Sequence, residues 1–169
     1  MINPASFYIH YLCQLKKLLL KIKSMDRLDV MNERLIHNMF DLKQQARTAI
    51  GFTLRSCCPI AGRDIVNFGD DECSINSLLD EISKTIDYLA EIPAEEFSFS
   101  EETTIETAAG FADLEFTPME YFLSYSFPNF MFHYCIVYAI ARKSGLEIGK
   151  ADFDGYHKYP LGFDFTDSN

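Results

Sequence analysis

His133 and Asn129 are the residues whose types and spacing first suggest chemistry. They stand four apart in Pro128-Asn129-Phe130-Met131-Phe132-His133, so on a helix they share one face a turn apart. An imidazole beside a carboxamide admits two readings. Either the two groups satisfy each other or nearby backbone within a core, or they form half of a ligand or metal site. An earlier helix, starting at Asn38 and running to about Cys57, contributes Gln45. This residue is polar on the inner face made by Leu42, Ala46, Ala49, Ile50, Thr53 and Leu54. A buried carboxamide needs a hydrogen-bond partner. Gln45, Asn129 and His133 are therefore the candidate lining of a small-molecule pocket. His37 and His133 are weak metal candidates, since neither has a second His at helical spacing. No catalytic residue can be named and no cofactor is expected, the alternative being a divalent metal such as zinc or nickel.

Other chemistry finds little support. No phosphate loop, dinucleotide glycine motif, nucleophile elbow or His-Glu-x-x-His motif is present. Gly145-Leu-Glu-Ile-Gly149-Lys150 follows a helix and lacks the hydroxyl residue after Lys, so it only imitates the end of a phosphate loop. Asp70, Glu72, Ser74, Asn76 and Glu81 imitate a calcium loop, but Ile75 stands where Gly is needed and Ser74 suits a helix cap. Cys135 lies two residues from His133, on a different helix face, so no Cys-His nucleophile pair arises. The five cysteines have no paired zinc spacing and read as reduced, mostly buried thiols. A vicinal Cys57-Cys58 disulfide would be strained.

At 169 residues and 48% apolar content the chain is expected to form one domain, residues 1–169, with a substantial core. Its net charge of −10 is uneven. Residues 1–63 carry ten basic and four acidic side chains, residues 64–127 one and sixteen. No dominant basic face is offered to phosphates, which argues against nucleic acid as a partner. No apolar run is long enough for a membrane span, and Leu18-Leu19-Leu20 among four lysines suits an amphipathic helix. The expected compartment is the cytoplasm, and the aromatic excess suggests a homodimer formed through helix faces.

Helices must position these groups. Asn3 caps and Pro4 opens the first, which runs to about Ser24. Phe7, Tyr11, Leu15, Leu18 and Ile22 form its main stripe, with Tyr8, Leu12 and Leu19 beside it. His10 reads as a surface or boundary residue. Residues 25–37 are a connector, and Asn38 with Asp41 at N3 opens the second helix. Ser74 caps a third, from Ile75 to about Glu91, which Pro93 ends. Thr103 to Phe116 alternates around Gly110 and predicts a β-hairpin within about 97–116. Thr117-Pro118-Met119-Glu120 is a capping box, and Pro128 then opens or kinks the next helix. Residues 129–143 are apolar nearly all round, which predicts the buried centre of a bundle, stopped at Gly145. The tail from about 155 to 169 is irregular.

Three runs carry a resemblance: Asn32-Glu33-Arg34-Leu35 with Met39-Phe40-Asp41-Leu42-Lys43-Gln44-Gln45, then Pro128-Asn129-Phe130-x-Phe132-His133, and Gly149-Lys150-x-Asp152-Phe153. Together they resemble the family called domain of unknown function nineteen-ninety-three, within the DinB/YfiT-like four-helix bundles. The resemblance implies an all-α fold, a DinB-like four-helix bundle of up-down-down-up type with a small β-hairpin inserted before the last helices. It implies no established activity. DinB-like relatives often hold a divalent metal through three His, one on the second helix and a His-x-x-x-His pair on the fourth. Here the fourth-helix pair would be Asn129 with His133, or His133 with Val137, and His37 lies just before the second helix. Two functions follow: a small-molecule-binding or interaction protein, or a metal-dependent enzyme of thiol transferase or hydrolase type.

Overall fold

The computed structural model describes residues 2–160 and 163. Its long helices start where a side chain captures a free backbone N–H. α1 (Pro4–Ser24) is capped by Asn3, whose Oδ1 accepts from the Ser6 N–H at 3.3 Å. α2 (Leu42–Ile60) is capped by Asp41 and α3 (Ile75–Ala90) by Ser74, at 3.0 and 3.1 Å. The α2 start differs from the expected Asn38. Arg34 and Asp41 form a β-bridge and an ion pair at 3.6 Å, which holds residues 34–41 as a closed loop. Asp41 is thereby placed at the cap and not inside the helix.

The hairpin pairs β1 (Ile105–Ala109) with β2 (Ala112–Phe116), from Ile105 opposite Phe116 to Ala109 opposite Ala112. Gly110 supplies the turn at φ +62°. The next helix is continuous but irregular. α4 (Pro118–Glu120) begins at the Thr117–Glu120 capping box, widens into a π-turn over Tyr121–Ser126, and tightens into α5 (Phe127–Lys143). Pro128 supplies no N–H, so the carbonyls before it lose a regular partner. Asn129 lies in the same turn, its Nδ2 donating to the Tyr125 carbonyl at 2.8 Å. The chain turns at Gly145, φ +85°, into the short α6 (Lys150–Asp154). Asp152 accepts from the Gly149 N–H at 2.8 Å, and the Phe153 ring packs on Tyr134 and Tyr138.

α2 packs on α5 and α3, and α1 on α3, while Tyr8–Phe130 and Phe7–Phe127 ring contacts join α1 to α5. The result is a four-helix bundle with a two-stranded appendage. Between its helices Tyr8, Leu12, Leu15, Leu19, Ile22, Ile50, Leu78, Ile82, Phe130 and Val137 have almost no exposed surface. Two expectations shift. On α1 the centre of the stripe is Tyr8, Leu12, Leu15, Leu19 and Ile22; Phe7 and Tyr11 are half-buried at its edge. And α5 is not buried all round. It buries Phe130, Tyr134, Val137, Ile140 and Ala141, while Phe132 is 52% exposed and Cys135 also faces out. A helix at the corner of a bundle covers one stripe only, whatever its remaining residues are.

Candidate functional site

Gln45 stands in the first turns of α2 and is 1% exposed. Its carboxamide Nε2 donates to the Phe40 carbonyl at 3.5 Å, which aims the oxygen at α5. That oxygen lies 2.6 Å from His133 Nδ1. An amide oxygen only accepts, so Nδ1 carries the imidazole proton and Nε2 holds the lone pair. Nε2 has no hydrogen-bond partner among the described residues. The ring is half-buried, less than the apolar helix implied. Phe52 lies near-parallel to it at 5.7 Å between centroids, Phe40 likewise at 6.5 Å, and Phe132 meets it edge-on at 5.2 Å. Burial lowers the His133 pKa, and the Arg55 guanidinium lowers it further. The imidazole is thus neutral, of fixed tautomer, with an open acceptor among aromatic rings.

Sequence reasoning paired His133 with Asn129; the structure pairs it with Gln45. Asn129 is drawn back to its own helix by the Tyr125 carbonyl. His37 is exposed in the loop before α2. Phe40, Phe52 and Arg55 were missed. Phe52 is seven residues beyond Gln45 and so on the same face of α2, a spacing that could have revealed it. Arg55 lies 3.7 Å over the centroid of the Phe52 ring. This aromatic–cation contact depends on side-chain placement that periodicity does not report.

A three-ligand metal site does not fit these residues. The Gln45 oxygen is occupied by the Nδ1–H, Asn129 is tied to its own helix through its Nδ2, and one imidazole nitrogen is left. Among the described residues no three His, Cys, Asp or Glu side chains gather as a metal cluster. The arrangement can accept a hydrogen bond from a ligand, or take up a proton, at His133 Nε2.

Residues 5–154 match the family described as Domain of unknown function (DUF1993). The chain belongs to that family. A DinB family member from Shewanella denitrificans, known as a crystal structure, superposes with a TM-score of 0.77 at 23% identity, over 92% of each chain. At that identity the likeness concerns the fold, which is the DinB-like helical bundle with its hairpin. No curated protein matches. The DUF1993 fold therefore comes without an established activity. No helix among the described residues is long and apolar enough to cross a membrane.

Proposed function

We propose that this DUF1993 protein binds a small molecule at the Gln45–His133 pair. The open Nε2 acceptor of a half-buried, neutral imidazole carries the reading. A partly buried acceptor without a protein partner is worth most to a ligand that brings a donor. Phe40 and Phe132, 48% and 52% exposed, supply the apolar walls. The matching ligand is a flat aromatic molecule bearing a hydroxyl or amine. The metal-dependent thiol transferase or hydrolase reading draws no comparable support, since Asn129 is tied to backbone and no three His, Cys, Asp or Glu gather among the described residues. The acidic surface supports partners other than nucleic acid. The exposed rings of Phe40 and Phe132 support a homodimer that would cover them, and one cytoplasmic domain remains the simplest frame for both.

A titration with phenol, aniline and toluene, followed at the His133 and Phe52 resonances, tests the site. Phenol or aniline is expected to perturb both residues and to bind about tenfold more tightly than toluene, the worth of one hydrogen bond. Equal binding of all three, or loss of none of it in His133→Ala, would sink the reading. Stoichiometric zinc or nickel that depends on His133 would replace it with the metal alternative. Light scattering that shows only monomer at micromolar concentration would remove the dimer.

A further inference from the structure

A groove runs along a neighbouring flank of α2, between that helix and the loop of residues 61–74. It has a volume of about 300 Å³ and is lined by Arg47, Thr48, Gly51, Arg55, Ile65 and Val66, among others. Its charges are unevenly committed. Arg47 donates to Asp70 at 3.1 Å and to Glu81 at 3.3 Å, so both carboxylates that approach the groove already have a partner. Arg55 has no carboxylate and no hydrogen-bond acceptor among the described residues. Its guanidinium rests on the Phe52 ring, 3.7 Å from the centroid. A ring face attracts the cation but leaves its N–H fork unfilled.

Gly51 forms part of the groove wall. It sits in the interior of α2, where Gly weakens a helix relative to Ala. The protein gives no steric reason for it: a Cβ built there would meet nothing within 4 Å. The missing side chain instead leaves the floor of the groove open. Across from it Ile65, an apolar side chain, is 54% exposed.

We propose that this groove is a binding site for a small monocarboxylate, its carboxylate held by the Arg55 fork and its apolar body laid over Gly51 against Ile65 and Val66. A planar two-oxygen anion matches a guanidinium edge. Arg47, Arg55, Asp70 and Glu81 sum to no net charge, so the groove offers a local fork and not a positive field. A monoanion is favoured over a phosphate for that reason. The volume, at the small end for ligand sites, fits an acid of modest size. Arg55 lies between this groove and His133, whose pKa it lowers, but neither His133 nor Gln45 lines the groove.

The test is calorimetric titration of the full chain with hexanoate and phenylacetate, with hexanol, hexylamine and inorganic phosphate as controls. Both carboxylates are expected to saturate one site in the millimolar range or tighter, and the controls to bind at least about tenfold more weakly. Arg55→Gln should lose binding by about tenfold or more, while His133→Ala leaves it unchanged. Gly51→Ala gives readouts of opposite sign: a higher Tm, because the helix gains, and weaker hexanoate binding, because the floor fills. No carboxylate binding, equal binding by hexanol, undiminished binding in Arg55→Gln, or a Gly51→Ala variant that binds as well as the parent would each overturn the site. Loss of carboxylate binding in His133→Ala would overturn its placement in this groove.

Discussion

Two polar clusters on α2 invite comparison. Near its C-terminal end, Tyr8 of α1 donates to Ser56 at 3.0 Å, and Ser56 meets Ser126 of the π-turn at 2.8 Å. All three residues have essentially no exposed surface. Burial pushes the Tyr8 phenol far above its ordinary value, so it stays a neutral donor. Near the N-terminal end, Gln45 is just as buried, yet its partner His133 is half-open and keeps one nitrogen unpaired. The first cluster spends its hydrogen-bonding capacity inside the protein. The second retains some. A sealed network specifies how helices meet; an unsealed one is where a ligand can be recognised.

The widest separation between the two is expected in stability. Tyr8→Ala removes a buried ring and a hydroxyl and should cost about 3–5 kcal/mol in denaturant unfolding. Tyr8→Phe should cost about 1 kcal/mol, since Ser56 and Ser126 keep each other. Gln45→Leu belongs between them, at about 1–2 kcal/mol, because water can reach the His133 Nδ1–H that it strands. Its sharper signature is in the ring itself. Nitrogen chemical shifts should change from the Nδ1–H tautomer toward a mixture. A Gln45 variant as destabilising as Tyr8→Ala would erase the distinction, and an unchanged tautomer would remove Gln45 as its cause.

The difference also explains what could be read from the chain. The caps at Asn3, Ser74 and Thr117 and the stop at Gly145 were legible because each is a bond between a side chain and backbone a few residues away. The hairpin was legible from its alternation around Gly110. The α2 start was not, since Asp41 becomes the cap through Arg34, seven residues earlier on a returning chain. Nor was the outward face of α5, where Phe132 and Cys135 look like core residues by type. Gln45 and His133 stood out as polar groups on apolar helices, but 88 residues apart they could not be paired. Asn129 looked like the partner because it is close in sequence. Its amide instead bonds the Tyr125 carbonyl of its own helix.

The hairpin extends the comparison to a region that belongs to neither cluster. Ile105 is 5% exposed, Phe116 stacks on Tyr125 at 5.6 Å, and the Tyr125 hydroxyl donates to the Ala108 carbonyl at 3.4 Å. Within residues 106–115 the Ala108 carbonyl belongs to this anchor, while Phe111 at the turn is fully exposed. Replacing 106–115 with a short Gly-containing loop should leave a cooperatively melting helical protein, weakened by about 1 kcal/mol for the lost Tyr125 contact. Loss of cooperative melting would show instead that the strands are part of the bundle's own support.

The smallest effect expected is the pH dependence of the open cluster. Burial, then Arg55, lowers the His133 pKa from its ordinary value of 6.5. The unfolded chain therefore takes up a proton more readily than the folded one. Above the unfolded pKa both states are neutral at this residue, and stability carries no slope from it. As pH falls through about 6.5 the unfolded state protonates first and stability declines. The decline ends once the pH is below the folded pKa, where both states are charged. A half-exposed ring retains part of its hydration, so the slope should be shallow. It should be absent in His133→Phe across the same range. The sealed cluster contributes nothing in that window, as a Tyr8 phenol pushed upward cannot titrate there. Unfolding curves measured from pH 7.5 to 5 on the parent, His133→Phe and Tyr8→Phe separate the two. A slope that survives in His133→Phe, or vanishes in Tyr8→Phe, would place the titrating group elsewhere.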